Sequence, residues 1–209
     1  MQPKTHLSKI LIKLPNPSIT GYFYRSIDYD ALHSIEPPDA LYALGPSKCG
    51  QRYTPVGGPS ALYVADKAYT SFAEVTHAIT SSVRQFNSPP QPPLVVFAVS
   101  VHLEHILDLT DNSILKALGT TIAELQGPWA DQMASGIDVP THLLATAVYK
   151  TNRFQGIKYH SKEHPGGVDL IIWTDKLKAP SFIEVFDPTK KLAARIPEQH
   201  KKSARKSHR

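Results

Sequence analysis

Residues 61–79 read Ala61-Leu62-Tyr63-Val64-Ala65-Asp66-Lys67-Ala68-Tyr69-Thr70-Ser71-Phe72-Ala73-Glu74-Val75-Thr76-His77-Ala78-Ile79. The first five are a short apolar run, as a buried strand requires. Asp66 then offers a helix N-cap, and Ala68, Phe72, Val75 and Ile79 return at helical spacing. The stretch predicts a strand over Ala61–Ala65 feeding a helix. Glu74 lies on that helix, packed against the strand that carries Tyr63.

Upstream, Gly21–Arg25 alternates aromatic with small or polar residues, the pattern of an early strand. A polar stretch follows to Pro59, with turn signals at Pro37-Pro38, Gly45-Pro46 and Gly57-Gly58-Pro59. Downstream, Asn87–Pro93 is a proline-rich break. It reads as a surface loop rather than a linker, because neither half of the chain alone makes a complete core. Leu94–Val101 predicts a buried strand and His105–Leu109 a short one. Asp111–Leu118 predicts a helix capped by Thr110 or Asp111, and Pro140–Lys150 a helix with proline in its first turn. Gly156–Tyr159, Asp169–Thr174 and Phe182–Phe186 complete the strands. Short strands with scattered helices and no regular βαβ alternation predict a single α+β domain, not a doubly wound sheet.

The bulk properties agree. The chain has 209 residues, 41% hydrophobic and 20% charged, which is ordinary globular usage and argues against global disorder. Its 18 prolines require many loops and short elements. The single cysteine, Cys49, excludes an intrachain disulfide and a cysteine-rich zinc site; it reads as an inert, buried or half-buried thiol. Residues 1–17 read as an extension without the apolar core of a signal peptide. The longest apolar run, Leu94–Val99, is too short to span a membrane, so a cytoplasmic protein is expected. The net charge of +5 belongs to the end of the chain. Residues 190–209 hold eight Lys/Arg against one acid, Glu198, a net +7 that leaves the rest at −2. The domain is therefore placed at 18–189, followed by a basic tail that reads as a solvated, mobile end.

Several chemistries are missing. No Gly-x-Gly-x-x-Gly follows a strand, and there is no Walker A loop and no Gly-x-Ser-x-Gly elbow. His160 and His164 are four apart, but their surroundings read as a loop, so no metal site is expected. His102 and His105 read as ordinary surface or core histidines.

Four pieces, in order, carry a resemblance. They are Tyr24-Arg25; Gly50-Gln51-Arg52-Tyr53-Thr54-Pro55; Ala61-Leu62-Tyr63 with Phe72-Ala73-Glu74-Val75; and Gly156-Ile157-Lys158-Tyr159-His160-Ser161. Val101–Asp111, Trp129 and Pro140-Thr141-His142 lie between the third and fourth. Together they resemble the RES family over roughly Gly21–Phe186. The resemblance implies an ADP-ribosyltransferase-like mixed β-sheet core with surrounding helices. It also implies a toxin of a bacterial toxin–antitoxin pair that degrades NAD⁺, with a small DNA-binding antitoxin as partner. Arg25, Arg52, Tyr63, Glu74 and Ser161 are the implied site, with NAD⁺ as substrate and no resident cofactor.

Those residue types suit that chemistry. Cleaving the nicotinamide–ribose bond develops a cationic sugar, which a fixed carboxylate such as Glu74 stabilises. Arginine grips phosphate bidentately, so Arg25 and Arg52 can anchor a diphosphate. Tyr63 can stack on or bond near the base, and Ser161 can orient the substrate. The plainer readings are a solvated helix acid, surface ion pairs, a packed strand tyrosine and a serine capping its own turn. Three positions depart from the family pattern. Thr54 stands where asparagine is common, Gln51 where another glycine is usual, and Glu163 where arginine is common, after Lys162. Hydrolysis and phosphorolysis of NAD⁺ both fit. Two other readings are ADP-ribosylation of a macromolecule and nucleic-acid binding through the tail; the negative body argues against the second as the main role.

Overall fold

The computed structural model describes residues 4–33, 39–83 and 93–198. In chain order these form α1 (Lys4–Leu11), β1 (Ile19–Asp28), α2 (Tyr29–Leu32), α3 (Gly45–Cys49), β2 (Ala61–Ala65), α4 (Ala68–Val83), β3 (Leu94–Leu103), β4 (Ile106–Asp108), α5 (Asn112–Leu118), α6 (Ile122–Leu125), α7 (Trp129–Ala134), α8 (Pro140–Lys150), β5 (Gly156–His160), β6 (Val168–Trp173), β7 (Phe182–Val185) and β8 (Arg195–Ile196). The expected strands and longer helices are present, and the domain is α+β. The Asn87–Pro92 part of the proline-rich break lies outside the described residues.

The strands form one sheet in the order β4-β5-β6-β2-β1-β3-β7-β8. Among the described strands only β4 and β5 run parallel. β1 pairs with β3 over its full length, from Ile19↔Leu103 to Asp28↔Leu94. It meets β2 at a single register pair, Tyr24↔Ala65. The sheet is therefore two well-laddered halves joined at a weak seam, and Arg25, on β1, follows that seam.

Period-two alternation sends β6 into two cores at once. Leu170 and Ile172 belong to one cluster with Leu62, Val64 and Val101. Ile171 and Trp173 belong to the other, with Ile157, Leu144 and Val148. Asp169 shares the parity of Ile171 and Trp173, so a carboxyl group continues an apolar face. Gly156 is required where β5 crosses β6: a Cβ there would sit 2.0 Å from the Ile171 carbonyl oxygen.

The stretch read as an N-terminal extension contributes to this core. Leu7, Leu11 and Leu14 are buried with residues of α5 and α8. Leu11→Ala should therefore cost about 3 kcal/mol, from lost burial plus the cavity left behind. Urea denaturation checks this; a loss under about 1 kcal/mol would mean that α1 adds little. Part of the basic tail is also held. Arg195 in β8 pairs with Glu184 and lies 3.8 Å over the Phe182 ring. Residues 199–209 lie outside the described ones, and with them Lys201–Lys206.

Two local expectations need correction. The helix begins at Ala68, so Lys67, not Asp66, holds the capping position. Asp66 Oδ1 instead accepts the Val168 N–H at 3.0 Å and the Thr70 hydroxyl at 3.2 Å, tying the β2–α4 junction to β6. Cys49 is exposed at the end of α3, not buried or half-buried. Native protein should react completely with one equivalent of a thiol-exchange reagent without denaturant; a thiol that reacts only after unfolding would contradict the exposure. Asp111 does cap α5, accepting the Ser113 N–H at 2.7 Å.

Candidate active site

Beside the weak seam lies a cleft of about 970 Å³. That is the upper end of ordinary small-molecule sites. Arg25, Arg52, Tyr63 and Glu74 all line it, as do Trp129 and Asp169. Ser161 does not. It is buried behind the wall, and its hydroxyl donates to Glu74 Oε1 at 2.5 Å.

Glu74 is delivered by α4, which is fastened to β1 by the Ser71–Ser26 hydroxyl bond of 2.9 Å. Its carboxylate also faces the Glu163 N–H, at 3.5 Å. The Ser161 hydroxyl in turn accepts the His164 N–H at 3.1 Å, so the loop after β5 closes around the acid. His164 Nδ1 meets the Thr70 hydroxyl at 2.8 Å, which docks the same loop on α4. His160, expected in a loop, ends β5.

Arg25 donates from Nη2 to the Tyr42 carbonyl at 2.7 Å. Its Nη1 is shut off from water and has no partner among the described residues. Burial pulls the guanidinium down to about 10, while Asp39 pulls the other way, so it stays charged at neutral pH. A buried, charged guanidinium on a cleft wall favours an anion in that cleft.

Arg52 is nearly buried in the loop before β2. Its Nη1 faces the carbonyls of Leu125 (3.4 Å) and Gly127 (3.5 Å), and its Nη2 lies 3.9 Å from Glu163 Oε1. The first turn of α8 pins this loop. Thr141 donates its hydroxyl to the Arg52 carbonyl, and His142 Nε2 meets the Gln51 carbonyl at 2.8 Å. Pro140-Thr141-His142 is thus a clamp on the arginine loop, a role its sequence did not disclose. Gly50 starts the loop with φ +78°, and a Cβ there would press on Met133 Sδ at 2.7 Å. Only glycine suits both conditions.

Tyr63 shares a 2.8 Å hydrogen bond with the Thr54 hydroxyl. Thr54, one of the departures from the family pattern, so becomes the partner of a site tyrosine. Burial pushes the hydroxyls of Tyr53, Tyr63 and Tyr159 far up, and all three stay neutral. Trp129, half-buried at the start of α7, adds an aromatic wall near the His142 ring.

Sequence reasoning missed one strongly perturbed group. Asp169 is 4% exposed beside Glu74, and burial, then the Glu74 charge, pushes its carboxyl up to about 9.

A family model described as RES domain matches residues 24–193. No curated protein matches. Among solved structures, the crystal structure of the M. tuberculosis MbcT–MbcA toxin–antitoxin complex contains a similar chain. The TM-score is 0.60 and the identity 17%, covering 87% of this chain and 89% of that one. This likeness is one of fold, and the mixed sheet with surrounding helices matches the single α+β domain expected from the sequence. No helix among the described residues is long and apolar enough to cross a membrane.

Proposed function

This chain belongs to the RES domain family, and on that premise we propose that its cleft binds NAD⁺ and cleaves the nicotinamide–ribose bond. One observation carries the reading. A carboxylate fixed by a 2.5 Å hydrogen bond from Ser161 stands on the wall of a cleft that the guanidinium-bearing Arg25 and Arg52 also line.

The chemistry follows from those groups. The bond between the ribose C1′ and the ring nitrogen breaks, and its electron pair leaves with neutral nicotinamide. The sugar is left cationic, and Glu74 stabilises that charge from a fixed position. Arg25 and Arg52 line the cleft as the positive charges for the diphosphate, Arg52 shared with Glu163. Tyr63 walls the base as a neutral ring. Ser161 acts through Glu74, holding its aim. Water or inorganic phosphate then adds to C1′ through oxygen; in the hydrolytic case the extra proton passes to solvent. NAD⁺ is consumed as substrate, and no resident cofactor enters.

The biological role in this reading is a toxin that depletes cytoplasmic NAD⁺ and is held in check by a cognate antitoxin. The similar chain of known structure is described as part of a toxin–antitoxin complex, which supports that role. Induced expression in a bacterial host tests it. Cellular NAD⁺ should fall several-fold before growth stops, and should hold steady with Glu74→Gln. Growth arrest at constant NAD⁺ would overturn the substrate, and unaffected growth at constant NAD⁺ would overturn the toxin role.

A further inference from the structure

The carboxyl groups of Glu74 and Asp169 lie within hydrogen-bonding reach of each other on the cleft wall. Two carboxylates cannot share such a contact unless one of them carries a proton. Hydrogen bonding tells them apart. Glu74 Oε1 accepts the Ser161 hydroxyl and faces the Glu163 N–H. Asp169 Oδ2 is buried and accepts nothing from the described residues. The acid that other groups already donate to is the natural acceptor, and the acid sealed in an apolar strand face is the natural place for the proton.

We infer that Asp169 is a positioning residue that keeps its proton and donates it to Glu74, holding Glu74 as the charged, correctly aimed member of the pair. The inference rests on the proposed role of Glu74 for its catalytic consequence. It does not rest on that role for the protonation itself.

The surroundings favour the neutral form. Asp169 lies on β6, between Ala65 of β2 and Tyr159 of β5 in the sheet register. Glu74 faces it from α4, Asp66 from the β2–α4 junction, and the tyrosines 53, 63 and 159 from the adjoining strands and loop. Arg52 alone among these is positive, and it is shared with Glu163; Lys162 lines the same cleft. Burial is the largest influence, followed by the Glu74 charge, and the carboxyl is pushed up to about 9. The sign follows directly. Below that pH the proton bridges the pair. As pH rises through it, two adjacent carboxylates repel, and Glu74 loses its aim.

Two measurements test this together. In protein carrying ¹³C-labelled aspartate, the Asp169 carboxyl signal is assigned by its loss in Asp169→Asn. It should be protonated at pH 7 and titrate on the alkaline side; a carboxylate at pH 7 overturns the inference. In parallel, kcat for nicotinamide release from NAD⁺ is followed against pH. Wild type should lose activity on the alkaline side. Asp169→Leu, which cannot donate, should lower kcat about tenfold or more with little change in KM. Asp169→Asn, which donates but cannot ionise, should regain most of that loss and show no alkaline fall. An unchanged alkaline fall in Asp169→Asn, or activity as low as Asp169→Leu, also overturns it. Failure of wild type to release nicotinamide, or full activity in Glu74→Gln, would sink the functional reading instead, with the carboxyl titration still deciding the protonation.

Discussion

Glu74→Gln should lower nicotinamide release from NAD⁺ by about 10²–10³-fold, the usual loss when one preorganised electrostatic partner of the transition state is removed. The substitution keeps size and shape, and the glutamine carbonyl can still accept the Ser161 hydroxyl. The charge disappears, and one acceptor oxygen becomes an amide N–H₂ donor. The loss should therefore fall on kcat, because the sugar is cationic in the transition state and neutral in the ground state. The fold should survive. Glu74 stands on the cleft wall, and α4 is anchored by the Ser71–Ser26 bond instead. Steady-state kinetics beside a thermal melt checks both halves. More than a tenth of wild-type kcat in a folded variant would contradict the assignment.

Arg25→Met should separate binding from stability. A hydrogen bond to a charged group is worth about 1.5–3 kcal/mol, so losing the Arg25 contact to a phosphate should raise KM by about 10–100-fold. Stability should hold or rise. Among the described residues the Nη1 of this buried guanidinium has no partner, and an apolar chain of similar length removes the desolvation cost of burying the charge. Arg25→Lys should not restore binding, because an ammonium lacks the planar fork. Initial-rate kinetics and urea denaturation decide it. Unchanged KM would mean that Arg25 faces no phosphate, and a large loss of stability would mean that its role is structural.

Much of this was readable from residue order. The Ala61–Ile79 stretch gave away its strand and helix because both follow a simple period, and β5, β6 and β7 were readable for the same reason. The elements that escaped are those too short to show a period. α3, α6 and α7 have four to six residues, fewer than two turns each. Residues 1–17 were read as an extension, although Leu7, Leu11 and Leu14 repeat at helical spacing and are buried. In the site, Arg25, Arg52, Tyr63 and Glu74 were named by resemblance, and the structure brings them to one cleft. Ser161 was expected at the substrate but lies behind Glu74. Asp169 could not be read at all. A lone acid at the start of a strand looks like a solvated strand end, and only the packing of α4 across β6 brings Glu74 to it.

The proposed reaction of this cleft is cleavage of the nicotinamide–ribose bond of NAD⁺. Purified protein mixed with NAD⁺, with and without inorganic phosphate, and followed by proton NMR tests it most directly. Free nicotinamide should appear with a matching ribosyl product, whose identity names water or phosphate as the acceptor. NAD⁺ that stays intact in both conditions would contradict it.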